Sequence, residues 1–378
     1  MNFIKDKTVI FVANRAFALY SSRKLLMKKL IDNGWKVIAL TTEDKYSNKL
    51  KGIGVVIEKL NVNRGGFSIT EDPKTFFKIL SIYKKYKPDL IHQFHAKPII
   101  MGNFAKMLVS PNSKIVNTIT GLGYSFVAGG ITKKLASIGY KFFLSGSSKT
   151  IFQNRDDMQL FLDNNWLENE EAELIVSSGI NIEKFDYVNN KPDKSIKIFM
   201  ASRLLWQKGV KEFVEAAKIV KKEFPDVQFE LGGEIDQNHP DAVPESWIED
   251  AVNKNFINYL GYVNNMDDKL KEIDIFVLPS FYREGVPRVL LEASATGKAI
   301  ITTDSPGCRE AVIENKTGKL VKPQSSQDLA NAIIELVKNK DLITEMGRAG
   351  RERIESEFDI KMITEKYIDV YRKIGFNI

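Results

Sequence analysis

The sequence predicts an α/β protein built of two doubly wound domains, each with a parallel sheet covered by helices. Short apolar, β-branched runs alternate with segments of helical period from one end of the chain to the other, which is typical of βα units. The runs are almost continuously apolar, as expected for strands that helices cover on both faces. The length of 378 residues exceeds what one hydrophobic core usually organises, and it therefore favours two domains.

The first half of the chain contains six predicted strands. Each is a short run rich in β-branched or aromatic residues that ends at a turn or at a helix-forming stretch. They are residues 8–14, 36–42, 55–60, 90–94, 114–120 and 149–154. Residues 21–34 and 72–86 have the apolar period of helices and are examples of the segments that connect the strands.

A second series of strands begins after a polar stretch at residues 189–195. These strands are residues 197–202, 227–233, 257–262, 273–280, 299–304 and 319–323. The last stretch has helical period, and we expect it to cross back onto the first domain. The predicted domains are thus residues 1–190 with 360–378, and residues 191–359. Facing each other, they would place the ligand crevices at the strand ends on either side of a cleft, a layout that a binding protein shares with an enzyme.

The formal net charge of +7 is an average over two unlike halves. Residues 1–200 hold 30 Lys/Arg and 18 Asp/Glu, whereas the rest of the chain holds 25 and 30. No acidic residue occurs from Leu90 to Arg155, a stretch that contains eight basic ones. This bias indicates that the first half meets an anionic partner, whether nucleic acid, a phospholipid surface or a phosphorylated small molecule.

The cysteine and histidine content excludes several kinds of site. The single cysteine, Cys308, rules out a disulfide framework within the chain and is typical of a reducing compartment, and with three histidines we expect no structural metal. The N-terminal apolar run is short and is interrupted by Asn14 and Arg15, so it does not resemble a secretory signal. Residues 115–132 are uncharged but rich in glycine and polar residues, which makes a poor membrane span. We expect a cytoplasmic protein whose membrane contact is peripheral.

Two carboxylates mark the segment that is most informative about chemistry, residues 277–310. Glu284 lies in the loop after a strand, and Glu292 lies in the helix that Pro287 is suited to begin. A helix N-terminus offers unpaired N–H groups and a partial positive charge to a phosphate, and carboxylates accept hydrogen bonds from sugar hydroxyls. The alternative interpretation is a loop acid and a helix acid that are merely solvated.

Two cations, Arg203 and Lys208, follow the first strand of the second half. They would face the same crevice as Glu284, within a half that is otherwise net acidic. A diphosphate needs such charges, because Arg binds two oxygens at once and Lys acts as a point charge. Surface cations are common, however, and the pair alone does not establish a site.

Taken together, these motifs resemble those of retaining glycosyltransferases of the GT-B fold, family 4, over nearly the whole chain. The resemblance depends on the Glu-x7-Glu spacing of Glu284 and Glu292, on Arg203 and Lys208, on the HAKP stretch that contains His95, and on the TGLGYSF loop at residues 120–126. The segment at residues 178–185 is also similar to the family's interdomain Gly-Val-Asp stretch, with Asn181 in place of Asp. Within the family, the chain is most similar to enzymes that extend undecaprenyl-diphosphate-linked sugars with an N-acetylhexosamine.

The resemblance implies a role for each of these residues. The donor diphosphate would contact Arg203, Lys208, Gly285 and Val286. The ribose would contact Glu292, and the base would contact the backbone around Gly261 and Val263. Glu284 would bind the transferred sugar, and His95 would contact the same sugar and polarise the reaction centre; an ordinary hydrogen-bonded loop histidine is the alternative. The sequence has no Asp-x-Asp motif, so we expect metal-independent catalysis without a cofactor.

The first half supplies the residues expected to meet the acceptor and the membrane. The loop after the first strand lacks the Gly-Gly pair of many relatives, but Arg15 and Arg23, together with Lys97, suit an acceptor diphosphate. Residues 131–149 combine apolar residues at helical spacing, Phe142 among them, with lysines, which suits a helix on an anionic bilayer. The lysines are Lys133, Lys134 and Lys141. The alternative is that this apolar face belongs to the core.

These inferences favour a glycosyltransferase on the inner face of the cytoplasmic membrane. It would move GalNAc or GlcNAc, with retention, from a UDP-sugar to an undecaprenyl-diphosphate-linked saccharide, in the assembly of a protein-linked glycan or of a surface polysaccharide such as O-antigen. A UDP-sugar 2-epimerase of the same fold is one alternative, although it would not need the basic first half. A nucleic-acid-binding protein is the other, but no nucleic-acid motif accompanies the lysines.

Overall fold

The chain folds into two compact units in the computed structural model, which describes residues 7–62, 71–122, 130–144, 146–189, 192, 195–236 and 239–378. Unit 1 comprises Met1–Gly179 and Ile360–Ile378, and unit 2 comprises Ile180–Asp359. The chain thus enters unit 2 at Ile180, ahead of the boundary predicted after residue 190. The reason lies in backbone hydrogen bonds, because the N–H groups of Ile180 and Val188 donate to the carbonyls of Phe358 and Thr296, all within unit 2.

Unit 1 contains a parallel sheet with the strand order β3-β2-β1-β4-β5-β6-β7. The strands are β1 Thr8–Ala13, β2 Lys36–Thr41, β3 Val56–Lys59, β4 Leu90–Phe94, β5 Lys114–Ile119, β6 Lys149–Phe152 and β7 Ala172–Leu174. The first six lie within the predicted runs. β7 was not predicted, because this half-buried edge strand of three residues has no apolar run. The order reverses between β1 and β4, and ligand crevices of open α/β sheets lie at such switch points.

Helices cover both faces of this sheet. They are α1 Ala16–Asp32, α2 Ser47–Lys51, α3 Glu71–Tyr86, α4 Ala96–Val109, α5 Gly130–Phe143 and α6 Arg155–Asp163. Alternate residues of a strand point to opposite faces, so Val9 and Phe11 of β1 pack in the cluster that contains α1, whereas Ile10 and Val12 pack in the cluster that contains α3. The apolar runs of the sequence are therefore buried on both sides.

Unit 2 contains a second parallel sheet with the order β10-β9-β8-β11-β12-β13. Its strands are β8 Lys197–Ala201, β9 Gln228–Gly232, β10 Asn258–Gly261, β11 Ile275–Leu278, β12 Ala299–Thr303 and β13 Gly318–Val321. Its helices are α7 Val210–Glu223, α8 Glu245–Asn253, α9 Met266–Lys271, α10 Arg288–Ala295, α11 Ser326–Lys338 and α12 Lys340–Arg353. The switch point lies between β8 and β11. The prediction of two doubly wound parallel-sheet domains is confirmed.

The last helix, α13 Ile360–Lys373, returns to unit 1, as the sequence predicts. It buries Tyr367, Ile368 and Tyr371 in the cluster that contains α1 and the odd-numbered residues of β1. The Tyr371 hydroxyl lies 2.5 Å from Nδ1 of His92, whose Nε2 lies 2.7 Å from the Thr118 hydroxyl. Burial lowers the pKa of His92 well below its usual value, so this histidine is neutral and structural.

Among the described residues, no helix is both long enough and apolar enough to cross a bilayer.

Candidate active site

The predicted donor residues follow two neighbouring strands of unit 2. Arg203 comes after β8 and precedes a short 3₁₀ turn, Trp206–Lys208, whereas Glu284 lies in the loop between β11 and α10. Because β8 and β11 are adjacent, their carboxyl ends bring both sequence motifs to the switch point of the sheet. Residues that are 76 positions apart in the chain meet there.

Lys208 and Glu284 form an ion pair at this point, between Nζ and Oε1. The Lys208 side chain is only 8% exposed and the Glu284 side chain 23% exposed. Ser280 Oγ lies 3.4 Å from the same carboxylate oxygen, and Lys208 Nζ lies 5.0 Å from the centre of the Tyr282 ring. A buried ammonium needs such a partner, because an unpaired charge is costly away from water. In the absence of a substrate, each group therefore holds the other in place.

Arg203 is exposed, in contrast to Lys208. In the part of the chain that the structure describes, its guanidinium makes no ion pair. The backbone around it is fixed, since the Leu204 N–H donates to the Glu234 carbonyl at 3.1 Å and the Val243 N–H to the Leu204 carbonyl at 2.9 Å. A fixed backbone with a guanidinium open to solvent is suited to an incoming anion.

Glu292 lies one and a half turns into α10, with its side chain 18% exposed. Its Oε1 is 3.6 Å from Nη2 of Arg288, and burial raises the pKa of the carboxyl group above its usual value. Gly285 and Val286 are buried just before this helix. The Glu292 carboxylate thus lies within α10, whereas Gly285 and Val286 come before its first turn. These separate positions fit the prediction that Glu292 meets the ribose and the other two residues the diphosphate.

Gly261 is the last residue of β10, which lies on the other side of β9 from β8, and Val263 comes two residues later. The Gly261 carbonyl accepts a hydrogen bond from the Gly233 N–H at 2.8 Å, so this acceptor is already used. A Cβ atom at Gly261 would meet nothing within 4 Å, whereas Val263 packs against the position of Gly232. The open space beside Gly261 is thus the feature that fits the prediction of a base site.

His95 lies in unit 1, between β4 and α4, with a backbone φ of 70° and ψ of 154°. A residue with a Cβ atom rarely adopts this conformation, and holding it there costs about 1–3 kcal/mol. Such strain is concentrated at functional sites, where it fixes the direction of a side chain. The observation supports the interpretation of His95 as a site residue over that of an ordinary loop histidine.

The three predicted acceptor residues have different surroundings. Arg15 is exposed directly after β1, and because β1 neighbours β4 it lies at the same end of the sheet as His95. Lys97 is in the first turn of α4, where its Nζ lies 2.8 Å from a carboxylate oxygen of Asp72.

Arg23 is buried, in contrast to Arg15. It is 2% exposed, its Nη2 donates to the Tyr367 hydroxyl at 2.8 Å, and its guanidinium lies 5.0 Å from the centre of the Phe94 ring. Arg23 therefore joins α1 to α13, and it does not take part in the site proposed below.

Two other motifs can be placed in part. Asn181, which stands where the family has Asp, accepts a hydrogen bond from the Glu183 N–H at 3.2 Å and so caps a short 3₁₀ turn. In the TGLGYSF loop, residues 123–126 lie outside the described residues, as does the side chain of Lys133.

A surface of three neighbouring helices in unit 1 exposes large apolar side chains. Phe104 of α4 links them, since its ring lies 5.0 Å from that of Phe76 in α3 and 5.1 Å from that of Phe143 in α5. The exposed residues of this surface are Phe77, Phe104, Met107, Leu108, Ile138 and Phe142, with Phe77 and Phe142 each 65% exposed. We call these six residues the α3–α5 surface.

Only the α5 part of this surface was predicted from the sequence. Lys134 and Lys141 of α5 are exposed as well. Phe77, Phe104, Met107 and Leu108 were not predicted, because their helices also bury an apolar face and periodicity alone does not separate a buried apolar residue from an exposed one. The adjacent Phe76 and Phe77 were the available signal, since consecutive helix positions do not share one face.

No three His, Cys, Asp or Glu side chains of the described residues lie close enough together to hold a metal ion.

Two family models match the chain, one in each unit. Residues 8–154 match the glycosyl transferase 4-like model, and residues 181–353 match the model of glycosyl transferases group 1. Between them, the two models cover most of the chain.

Curated relatives agree with these models. The chain is 28% identical to the N,N'-diacetylbacillosaminyl-diphospho-undecaprenol alpha-1,3-N-acetylgalactosaminyltransferase of Campylobacter jejuni, over 97% of this chain and 99% of that protein. It is 26% identical to the UDP-Gal:alpha-D-GlcNAc-diphosphoundecaprenol alpha-1,3-galactosyltransferase of Escherichia coli, over 80% of each chain.

Solved structures show the same fold. A glycosyltransferase of Rickettsia africae superposes with a TM-score of 0.78 at 22% identity, over 99% of this chain and 100% of that one. HepE of Anabaena, solved in complex with UDP and glucose, superposes with a TM-score of 0.79 at 17% identity, over 97% and 100% of the two chains. The chain is therefore a glycosyltransferase of the GT-B fold, with a glycosyl transferase 4-like domain in unit 1 and a domain of the glycosyl transferases group 1 family in unit 2.

Proposed function

We propose that the protein moves an N-acetylhexosamine, GalNAc or GlcNAc, from a UDP-sugar to an undecaprenyl-diphosphate-linked saccharide, with retention of the anomeric configuration. The ion pair between the buried Lys208 and the half-buried Glu284, at the switch point of the group 1 domain, is the observation that carries the proposal. The two curated relatives support the acceptor class, because both names specify a sugar on undecaprenyl diphosphate. Their transferred sugars differ, and the N-acetylhexosamine follows the relative that matches the longer part of this chain.

The donor half of the reaction requires positive charge beside the leaving diphosphate. As the bond between sugar and diphosphate breaks, negative charge grows on the phosphate oxygens, and the Arg203 guanidinium and the Lys208 ammonium stabilise it. The donor phosphates replace Glu284 as the partner of Lys208. The Glu284 carboxylate then accepts hydrogen bonds from the sugar, and Glu292 accepts them from the ribose. The base occupies the open space beside Gly261 and Val263.

Unit 1 supplies the acceptor half. In this proposal, His95 contacts the transferred sugar and polarises the reaction centre, and its strained backbone holds it in a fixed position. Arg15 is exposed and binds the acceptor diphosphate. Lys97 joins it by exchanging the Asp72 carboxylate for a phosphate oxygen, an exchange between two anionic partners of similar geometry.

A donor and acceptor screen tests this function. Purified protein is incubated in EDTA with UDP-GalNAc, UDP-GlcNAc, UDP-Gal or UDP-Glc and with short-chain polyprenyl-diphosphate monosaccharides. We expect one UDP-N-acetylhexosamine to yield a lipid-linked disaccharide by mass spectrometry, with the anomeric configuration of the donor by NMR. EDTA is expected to leave the rate unchanged, because catalysis is proposed to need no metal.

Several outcomes would contradict the proposal. Conversion of a UDP-sugar to its C2 epimer without transfer would support the alternative enzyme class. Transfer to free sugars but to no lipid diphosphate would overturn the acceptor class. Loss of activity in EDTA, restored by a divalent cation, would overturn metal independence.

We also propose that the α3–α5 surface docks on the inner face of the cytoplasmic membrane. Five of its six apolar residues, all but Phe77, lie within the acid-free stretch of sequence, and Lys134 and Lys141 of the same stretch are exposed. Anionic headgroups attract such lysines, and the apolar side chains enter the boundary between headgroups and acyl chains. A lipid-linked acceptor is found at this boundary.

Vesicle flotation measures this docking. Replacing Phe77 and Phe142 by serine is expected to lower the bound fraction on phosphatidylglycerol vesicles, with a partition coefficient reduced roughly tenfold or more for each ring, because burying one such ring contributes about 1.5–3 kcal/mol. Met362→Ser is the matched control, since Met362 is exposed in unit 1 on α13, away from these helices. Equal binding of all variants would count against this surface as the docking site. Equal binding to neutral and anionic vesicles would count against an electrostatic contribution to docking.

A further inference from the structure

The loop that carries Glu284 rests against a second loop, which follows β12. Gly307 of that loop has a φ of +89°. A Cβ atom built on Gly307 would lie 2.3 Å from the Glu284 carbonyl oxygen and 2.5 Å from the Gly285 carbonyl oxygen, far inside van der Waals contact. Only glycine fits here, for the close approach as well as for the backbone conformation.

The position of both carbonyls determines where the neighbouring N–H groups point. All peptide bonds of the described residues are trans, so the N–H of each peptide is directed away from its C=O. The carbonyls of Glu284 and Gly285 both lie against Gly307. The N–H groups of Gly285 and Val286 therefore point to the opposite side of the loop, away from Gly307.

These two N–H groups have no hydrogen-bond partner within the described part of the chain, although both residues are buried. Buried backbone donors without a partner are rare in folded proteins, because leaving one unpaired is costly. Two such donors in succession on one side of a loop form a concave site for an anion. They directly follow Glu284 in the chain, so the anion they suit is the phosphate that adjoins the transferred sugar.

Further contacts fix both loops in this arrangement. The Gly307 N–H donates to a Glu310 carboxylate oxygen at 2.7 Å, which holds the β12 loop. The Thr303 hydroxyl of β12 donates to the Ser280 carbonyl, and the Thr302 hydroxyl donates to the Leu278 carbonyl at 2.7 Å, which holds the start of the Glu284 loop. These hydrogen bonds hold the two loops together, with the Glu284 and Gly285 carbonyls in contact with Gly307.

We propose that Gly307 is a positioning residue for donor binding: its missing side chain lets the Glu284 and Gly285 carbonyls turn toward it, and this directs the Gly285 and Val286 N–H groups at the sugar-proximal phosphate. This inference rests on the proposed use of a UDP-sugar donor. It assigns Gly307 no contact with the substrate. A side chain at this position displaces the two peptide groups and leaves the remaining parts of the nucleotide site in place.

Binding of UDP and UMP separates this role from a merely structural one, because UMP lacks the sugar-proximal phosphate. In isothermal titration, Gly307→Ala is expected to weaken UDP binding about tenfold or more, the range expected for lost hydrogen bonds to a charged group, and to change UMP binding less than twofold. Gly34→Ala is the matched control, since Gly34 has a φ of +79° and open space around its Cβ position. It introduces the same kind of backbone strain without a collision, and its UDP affinity is expected to be unchanged.

A second measurement needs no variant. In the wild-type protein labelled with ¹⁵N-glycine and ¹⁵N-valine, the amide signals of Gly285 and Val286 are expected to shift on addition of UDP and to stay in place on addition of UMP. Unchanged UDP affinity in Gly307→Ala, an equal loss of UDP and UMP affinity, or amide signals that do not respond to UDP would overturn the inference. If the wild-type protein binds neither nucleotide, the proposed donor is wrong instead.

Discussion

Replacing Glu284 by glutamine is expected to lower the rate of sugar transfer by about two to three orders of magnitude, while the protein stays folded. The carboxylate is the partner of the buried Lys208 ammonium, and in the proposed reaction it also holds the transferred sugar. Losses of this size are typical when a single preorganised electrostatic contact to the reacting groups is removed. The amide has the shape of the carboxylate and keeps one oxygen for Lys208, so the loop has no reason to collapse.

The measurement is a turnover rate with the donor and acceptor found in the screen, together with a thermal unfolding curve. Glu335→Gln is the matched control, because it also removes the acid from a Lys–Glu pair in unit 2, but one whose carboxylate is 51% exposed. This control is expected to keep full activity. A Glu284→Gln enzyme with near wild-type turnover would remove Glu284 from the reaction centre and, with it, the central argument for the donor site.

Ending the chain at Asp359 is expected to unfold unit 1 and to leave unit 2 intact. Helix α13 buries five large side chains, namely Ile363, Tyr367, Ile368, Val370 and Tyr371. At about 1.5–3 kcal/mol for each side chain, their burial contributes on the order of 10 kcal/mol. The whole stability of a typical domain is about 5–15 kcal/mol, so unit 1 does not remain folded without them.

Limited proteolysis with mass spectrometry measures this effect. The shortened chain is expected to yield a resistant fragment close to residues 180–359 and no resistant fragment from residues 1–179. Tyr371→Phe in the full chain is the graded control, because it removes only the hydroxyl beside His92. It is expected to cost about 1 kcal/mol and to leave both units resistant. A shortened chain whose unit 1 resists the protease would show that α13 is dispensable there.

Most of the fold could be predicted from the sequence, because buried parallel strands are short apolar runs that alternate with helical segments. The exceptions follow from the same physics. β7 is a half-buried edge strand, so it has no apolar run to recognise. The chain enters unit 2 before the polar stretch, because the hydrogen bonds of Ile180 and Val188 reach residues more than a hundred positions away.

The candidate site divides in a similar way. The pairing of Lys208 and Glu284 follows from two motifs that each come after a strand, since parallel strands bring such motifs to one edge. The burial of Arg23 could not be predicted, because its partner Tyr367 lies 344 positions later in the chain. The contact between Gly307 and the Glu284 loop was not predicted for a related reason. Whether a position requires glycine depends on the atoms around it, and those come from another part of the chain.

The division of unit 1 into two chain segments also affects how the protein is made. Unit 2 is one uninterrupted segment, whereas α13 leaves the ribosome only after the 180 residues of unit 2 have been synthesised. At about 5–20 residues per second, this takes roughly ten to forty seconds. During that time, the apolar side chains of α1 that α13 later covers stay open to solvent and to chaperones. We therefore expect unit 1 to remain incompletely folded while unit 2 is synthesised and folds independently. Folding of unit 1 is complete only when the last helix, α13, packs against it.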